Sequence, residues 1–518
     1  MASSSRSLFA LAATGALAAA LYFYFDFKTT NSAAPSGAAA TDGTFDQAKS
    51  FETFASYIGT PPKEGPRRFA VGLNSCVDLI VPALEVFKAL GAEGFVEGKD
   101  HDAIGSLKDL QETFRHFFEK GGAGERFVSN GDLFKSIVTA SRGVKAARNF
   151  VGGNAALMGL TIKNKVKHLP QGEDGEEDGN EHHSEVSVLM GGGYGPELKD
   201  MLSSHMILPE QAELEVDDYH VILEYPSGAE WGGCIFLLRV KAPRANRFII
   251  SHDITNAQMQ TLELFQPALE SFLPEAVVLS GLHMLEGENP EFRSKRLSDF
   301  VEMLKKIPKH IPIHLELASM ALEPYVKEIA EKVLQYVDSI GLNEQELELV
   351  ANSADGPHKE VTTRGSVADT AKVSDSLYWL LQTYSGPSSR LSRIHFHSLT
   401  FHLIAHVEGA WNNTDRAVAA GSWACTTRAC QSEDLQLDQV TLRFPTSFQV
   451  STSTSSGGKL SISSTEASIG WARGGIAFNL SPVYVCNSPG STVGLGDAIS
   501  ATGLFYSVLN KKKATNSA

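Results

Sequence analysis

The sequence predicts an α/β fold built on parallel strands and crossover helices, and three observations predict it. Short runs rich in Val, Ile, Leu and Phe recur along the 518 residues, at 69–73, 186–190, 221–225, 247–251, 276–280, 313–317, 339–342 and 394–397. Taken together they are predominantly apolar, as strands covered on both faces are. Several are followed by a turn and a helical pattern, the order in which strand and crossover helix alternate. The third observation is compositional. Apolar residues make up 42% and charged residues 20% of the chain, the balance of a globular protein with a sizeable core. In such sheets ligands bind beyond the carboxyl ends of the strands, so the polar residues just after each run are the first candidates for chemistry.

The ends of the chain differ from this middle. Arg6 precedes an alanine-rich apolar run from Leu8 to about Phe25, and 1–28 reads as a secretory signal peptide or an uncleaved signal anchor, both open. Residues 29–64, rich in Ala, Ser, Gly, Thr and Pro, read as a flexible linker, and 511–518 as a basic tail. Entry to the secretory pathway is therefore expected, in the endoplasmic reticulum as a lumenal or membrane-tethered protein, or else secreted. Five cysteines are too few for a disulfide scaffold. A single bridge between Cys430 and Cys486 is expected, since both lie in the C-terminal part and Cys486 ends an apolar run. A formal net charge of −15 argues against nucleic acid as a partner and leaves small molecules and metal-nucleotides. The acidic stretch 171–185, with His182 and His183, reads as a solvated surface insertion.

The strongest local signal is Gly494-Leu495-Gly496-Asp497, which runs into a small-residue and then apolar helical pattern. Glycines there let backbone N–H groups converge on phosphate charge at a helix start, where the dipole adds to the field. A carboxylate at Asp497 is placed to take the proton of an attacking hydroxyl while the amides hold the transferring phosphoryl group. Taken alone, the tetrad is equally a turn and a helix cap. Companions strengthen it. Asn343 and Glu346 follow the run at 339–342 in an Asn-x-x-Glu pattern that also suits a capping box. His314 and Glu316 alternate onto one face of the run at 313–317, and carboxylates at adjacent strand ends suit Mg²⁺ or another hard divalent cation. Asn74 and Asp78 follow the first run, Gly153 and Asn154 follow Gly152, and Glu224 lies in the run at 221–225, together offering the donors and acceptors that sugar hydroxyls need. Four histidines, His395, His397, His402 and His406, cluster in sequence but lack a four-ligand framework for zinc. Neighbours along a strand alternate faces, so Ser251, His252 and Asp253 cannot form a hydrolase triad.

These residues, with Ala70 to Asp78, Val151 to Leu157, Pro243 to Ile249, Ser280 to Met284, Gly341 to Leu347 and Val493 to Ser500, resemble the ADP-dependent glucokinases of the ribokinase-like superfamily, in particular the animal-type members with an N-terminal secretory segment. The resemblance covers about 66–508, and 65–510 is read as one kinase unit. It implies a large domain with a central, mostly parallel sheet flanked by helices, plus a smaller α/β lid contributed mainly by about 90–150 and 210–246. It also implies transfer of the β-phosphoryl group of ADP to the 6-hydroxyl of glucose, with a divalent metal, giving AMP; an ATP-dependent relative or a catalytically silent binding protein is the alternative. On the same basis Asp497 is the expected base and Gly494 and Gly496 shape the anion hole. Glu316, Glu346 and Asp497 serve the metal, and His314, Asn343, Val493 and Leu495 the nucleotide. Asn74, Asp78, Gly153, Asn154, Glu224 and His252 face the sugar. A monomer is expected. The stretch 233–240 departs from the family pattern.

Overall fold

A computed structural model describes residues 45–58, 65–165, 186–232, 239–318, 320–362, 368–455, 457–490 and 494–510. The N-terminal apolar run, the acidic stretch at 171–185, most of the divergent stretch at 233–240, Val493 and the basic tail lie outside the described residues. Among the described residues no helix is long and apolar enough to cross a membrane.

All eight runs form strands, distributed over two sheets. In chain order the strands of these sheets are β1 (Arg68–Gly72), β2 (Cys76–Pro82), β3 (Ala103–Ile104), β4 (Gly124–Val128), β5 (Arg148–Gly152), β6 (Ser187–Met190), β7 (Tyr219–Tyr225) and β8 (Asn246–Ser251). They continue with β9 (Ala276–Leu279), β10 (Ile313–Glu316), β11 (Ser339–Leu342), β12 (Arg393–His397), β13 (Phe401–Val407), β14 (Ile469–Arg473) and β15 (Ile476–Pro482). The larger sheet has nine strands in the order β14-β15-β13-β12-β11-β10-β9-β1-β6. From β12 to β6 every pairing is parallel, and β13, β15 and β14 extend that edge antiparallel. Its inner parallel strands are buried on both faces, which is why apolar residues are frequent in them.

The second sheet has six strands in the order β3-β4-β8-β7-β2-β5, and the runs at 221–225 and 247–251 pair antiparallel in it. One of its faces is apolar. Val77, Leu79, Val81, Leu223, Phe248 and Ile250 belong to a core that also holds Phe87, Phe114, Phe118 and Trp231. Alternation puts Cys76, Asp78, His220, Glu224 and Arg247 on the opposite face. Only Leu73, Asn74 and Ser75 separate β1 in one sheet from β2 in the other.

Four helices carry the site: α1 (Asn154–Asn164), α2 (Glu344–Ser353), α3 (Thr414–Cys430) and α4 (Leu495–Tyr506). α3 and α4 lie along each other. Small residues permit the close approach, and a side chain added at Gly421 would sit 3.2 Å from the Ile499 carbonyl. The pairing of Cys430, at the end of α3, with Cys486 is present. One expectation is corrected: part of the stretch read as linker forms a helix, Gln47–Ile58. Phe51, Phe54 and Ile58, spaced by three and four, give it one apolar stripe. Phe54 is fully buried beside Tyr484 and Trp423, and Ser50 bonds the Tyr484 hydroxyl at 2.9 Å.

Candidate active site

At the start of α4, Gly494 has φ +68°, a conformation strained for any residue with a Cβ. Space forbids one as well, since a Cβ there would lie 2.8 Å from the Arg428 guanidinium and 2.9 Å from Leu157. Gly496 faces His397 in the same way, at 3.1 Å. This leaves Asp497 buried in the first turn of α4, beside the N-terminal dipole. Asn154, the first residue of α1, donates from Nδ2 to Asp497 Oδ1 at 2.9 Å. Asn74 in turn donates to Asn154 Oδ1 at 3.0 Å and accepts from the Ala155 N–H at 3.2 Å. Three residues distant in sequence thus form one hydrogen-bonded line ending on a carboxylate. Burial, reinforced by the charge of Glu316, pushes the Asp497 carboxyl up to about 7, against the pull of Asn154, Arg428 and His397. A carboxylate with that proton affinity is suited to general base work near neutrality.

Behind Asp497 lies a buried polar row on the larger sheet. His314 and Glu316 share one face of β10, as their alternation predicts. Glu316 accepts from His397 Nε2 at 3.1 Å and pairs with His314 Nε2 at 3.3 Å. Burial alone would raise its carboxyl, but the two histidines outweigh that and hold it at about 2, so it is ionised at neutral pH. His314 Nδ1 meets Ser339 Oγ at 3.0 Å, and Arg393 donates to the same hydroxyl at 2.7 Å. The Glu316 side chain fits because its register partner on β11 is Gly341. A Cβ on Gly341 would overlap the Glu316 carboxylate and lie 2.6 Å from Ser500 Oγ of α4.

Asn343 caps α2, accepting from Gln345 N at 2.9 Å and Glu346 N at 3.1 Å, while Glu346 reaches back to the Asn343 N–H at 2.8 Å. The capping box is therefore real, and it also holds a buried carboxyl at the strand ends. Burial pushes Glu346 up to about 8, with His397 pulling down and Glu316 adding to the rise.

The second sheet presents its polar face to this line. Asp78 is buried on β2 against Gly152, where a Cβ would come within 2.6 Å of its carboxyl carbon. Gly153, at φ +81°, lies where any side chain would strike the Ser75 backbone. Glu224 sits on the same face but farther out, half exposed and 3.7 Å from Arg148. His252 Nδ1 lies 2.6 Å from the Val128 carbonyl and its ring stacks on Phe127. Asp253 instead caps the turn Ile254–Ala257, so Ser251, His252 and Asp253 diverge. Leu495 packs toward Cys425, Val483 and Ile499.

Three residues escaped the sequence reading. His397 ends β12 and is marked by the strand-end rule, but the sequence presents it only as one of four clustered histidines, with nothing linking it to Glu316. Arg247 pairs in register with Glu224 and carries charge toward Glu224, Asp78 and Glu125. Its signal was a cation inside an otherwise apolar strand. Arg428, in the last turn of α3, acts electrostatically on Asp497, and nothing local in the sequence marks it.

The ADP-specific phosphofructokinase/glucokinase conserved region matches residues 67–170 and 181–506. The chain belongs to that family. Within those limits fall Asn74, Asn154, Glu316, Glu346 and Asp497. Among relatives of this ADP-specific sugar kinase family, the ADP-dependent glucokinase of Bos taurus is 42% identical over 445 residues, covering 85% of this chain and 84% of its own. A probable ADP-dependent glucokinase of Caenorhabditis elegans is 35% identical over 453 residues, covering 85% of each chain. The fold is shared with a phosphofructokinase from Pyrococcus horikoshii solved with AMP, at TM-score 0.59 and 17% identity over 86% of this chain and 98% of that one. A reconstructed last common ancestor of Methanosarcinales ADP-dependent phosphofructokinases superposes with TM-score 0.60 at 18% identity, covering 89% and 97%.

Proposed function

We propose that this protein transfers the β-phosphoryl group of ADP to the 6-hydroxyl of D-glucose, yielding glucose 6-phosphate and AMP. The observation that carries the reading is the line Asn74–Asn154–Asp497, which delivers a buried, proton-accepting carboxylate to a glycine-lined helix start. The name of a relative 42% identical over most of both chains supports glucose and ADP as the substrates.

In this reading the sugar lies between Asp497 and the polar face of the second sheet, with Asn74, Asp78, Gly153, Asn154 and Glu224 around it. Asp497 takes the hydroxyl proton as the new O–P bond forms and the bond to the AMP oxygen breaks. The N–H groups after Gly494 and the positive end of α4 receive charge on the transferring phosphoryl oxygens, with Arg428 beside them. Leu495 borders the nucleotide, and His314 and Asn343 support it from β10 and α2. The second sheet serves as a lid that excludes water, which otherwise competes for the phosphoryl group.

A divalent cation such as Mg²⁺ fits this acidic corner through water. Both Glu316 oxygens are engaged by histidines and both Glu346 oxygens by Asn343, so direct coordination by all three carboxylates is not preformed. Mg²⁺ keeps several waters and needs only one or two carboxylates besides phosphate. Bound there with Glu316, Glu346 and Asp497 around it, it would neutralise phosphate charge. The Cys430–Cys486 bridge supports an oxidising, secretory-pathway location.

The test is one incubation of the full chain with glucose, Mg²⁺ and either ADP or ATP. Glucose 6-phosphate and AMP should appear in equal amounts with ADP. Turnover with ATP alone, releasing ADP, would instead support an ATP-dependent sugar kinase, and no product with either nucleotide would leave only a binding protein.

A further inference from the structure

Cys76, Asp78 and His220 stand together on the polar face of the second sheet, and the role proposed above uses only one of them. Strand geometry puts them there. Cys76 and Asp78 are two apart on β2, and His220 is the register partner of Asp78 on the adjacent strand β7. The Cys76 thiol lies 3.7 Å from Asp78 Oδ1, and one donor atom from each of the three residues lies within 4.8 Å of the others. Donors around a tetrahedral zinc ion, bonded at about 2.0–2.3 Å, stand roughly 3.3–3.6 Å apart, so small side-chain rotations close the gap.

The surroundings suit a metal as well. His220 Nε2 is 3.0 Å from Asp253 Oδ2, which leaves Nδ1 as the ring's second donor. Asp253 is itself fixed, its two oxygens accepting from Asn256 N at 2.9 Å and Asn256 Nδ2 at 2.6 Å. A carboxylate orienting a histidine from behind is the usual support of a zinc ligand. Gly152 lets β5 lie against the group, since a Cβ there would come 2.7 Å from the Cys76 sulfur. A thiol, an imidazole and one carboxylate favour zinc-like ions and disfavour Mg²⁺, which seeks oxygen.

We propose that Cys76, Asp78 and His220 form a binding site for a thiophilic divalent cation, with Zn²⁺ as the type case, and that its occupation excludes the sugar. The second half rests on the reading of Asp78 as sugar-facing; the first does not. On binding, the metal takes the place of the thiol proton, which passes to solvent, and the fourth position stays open to water. The kinase is then inhibited by zinc in competition with glucose.

Cobalt is the probe. Titrating the full chain with Co²⁺ should give one equivalent bound, with a thiolate-to-cobalt charge-transfer band and visible bands of a tetrahedral ion. Cys76→Ser should abolish the charge-transfer band, and His220→Gln should weaken Co²⁺ binding by at least about tenfold. Saturating glucose should raise the apparent Kd for Co²⁺. No charge-transfer band in the wild type, a band that survives Cys76→Ser, or an affinity unmoved by His220→Gln overturns the site. Metal binding indifferent to glucose overturns the exclusion. Because these readouts need no turnover, a chain that makes AMP from ADP and glucose but shows no band fails this inference alone.

Discussion

Asp497 gathers opposing influences on one carboxyl. Burial, which removes water from the charged form, sets the direction of its shift, and one hydrogen bond from Asn154 is too little to reverse it. Replacing it by alanine should lower turnover by about 10²- to 10⁴-fold with sugar binding largely kept, as steady-state kinetics and glucose titration would show. A second outcome follows from proton linkage. The folded-state pKa of about 7 lies above the ordinary value of 3.8, so the native state holds this proton more tightly than the unfolded chain does. That contribution is fully present below about pH 4 and is lost as pH rises through about 7. Asp497→Asn has no charge to bury. It should melt above the wild type at pH 8 and by a much smaller margin at pH 5; equal margins at the two pH values would contradict a buried, raised carboxyl. Asp497 itself was readable from its tetrad. The asparagine that holds it is readable as a sugar-facing donor but not as the partner of Asp497, because a contact across 343 positions leaves no local trace.

At the level of strands and helices, the runs in the sequence locate all six strands of the larger sheet's parallel part, since burial on both faces favours apolar residues, but not the inner strands β13 and β15. Pairing is another matter. That β7 and β8 run antiparallel in a separate sheet depends on register with β2 and β4, which no run encodes. The helix Gln47–Ile58 is masked in the sequence because its Ala, Ser, Gly and Pro-rich flanks obscure a three- and four-spaced apolar stripe. Gly341 shows the same limit in miniature. Its sequence context suggests only a strand end, yet its missing side chain is the room that Glu316 occupies. Gly341→Ala should therefore cost ~1–3 kcal/mol in chemical denaturation and depress turnover by displacing Glu316. A fully stable, fully active variant would mean that the strand pair relaxes around the added methyl group.

Across the whole molecule, two layers of constraint act on the helix pair at the site. α3 and α4 pack side by side beneath the larger sheet, and Cys430 ties the end of α3 to Cys486, 56 positions on. Closing a loop of that length stabilises the fold by about 4 kcal/mol in the chain-entropy view. Melting under reducing conditions should fall accordingly, and a Cys430→Ser/Cys486→Ser variant should match the reduced protein rather than the oxidised one. If the second sheet works as a lid, glucose should make the molecule more compact in small-angle scattering, while unchanged compactness would count against closure.

The order in which the parts of the site emerge during synthesis gives the line Asn74–Asn154–Asp497 one more meaning. Its two asparagines are made early, and the carboxylate follows 343 residues after the second of them. A nascent chain that has passed β15 already holds every strand of both main sheets, but it lacks the carboxylate proposed as the base. Stop codons or frameshifts between 483 and 494 should therefore leave a product that contains every strand of both sheets yet is chemically inert. The growing polypeptide, for its part, cannot spend nucleotide before α4 docks.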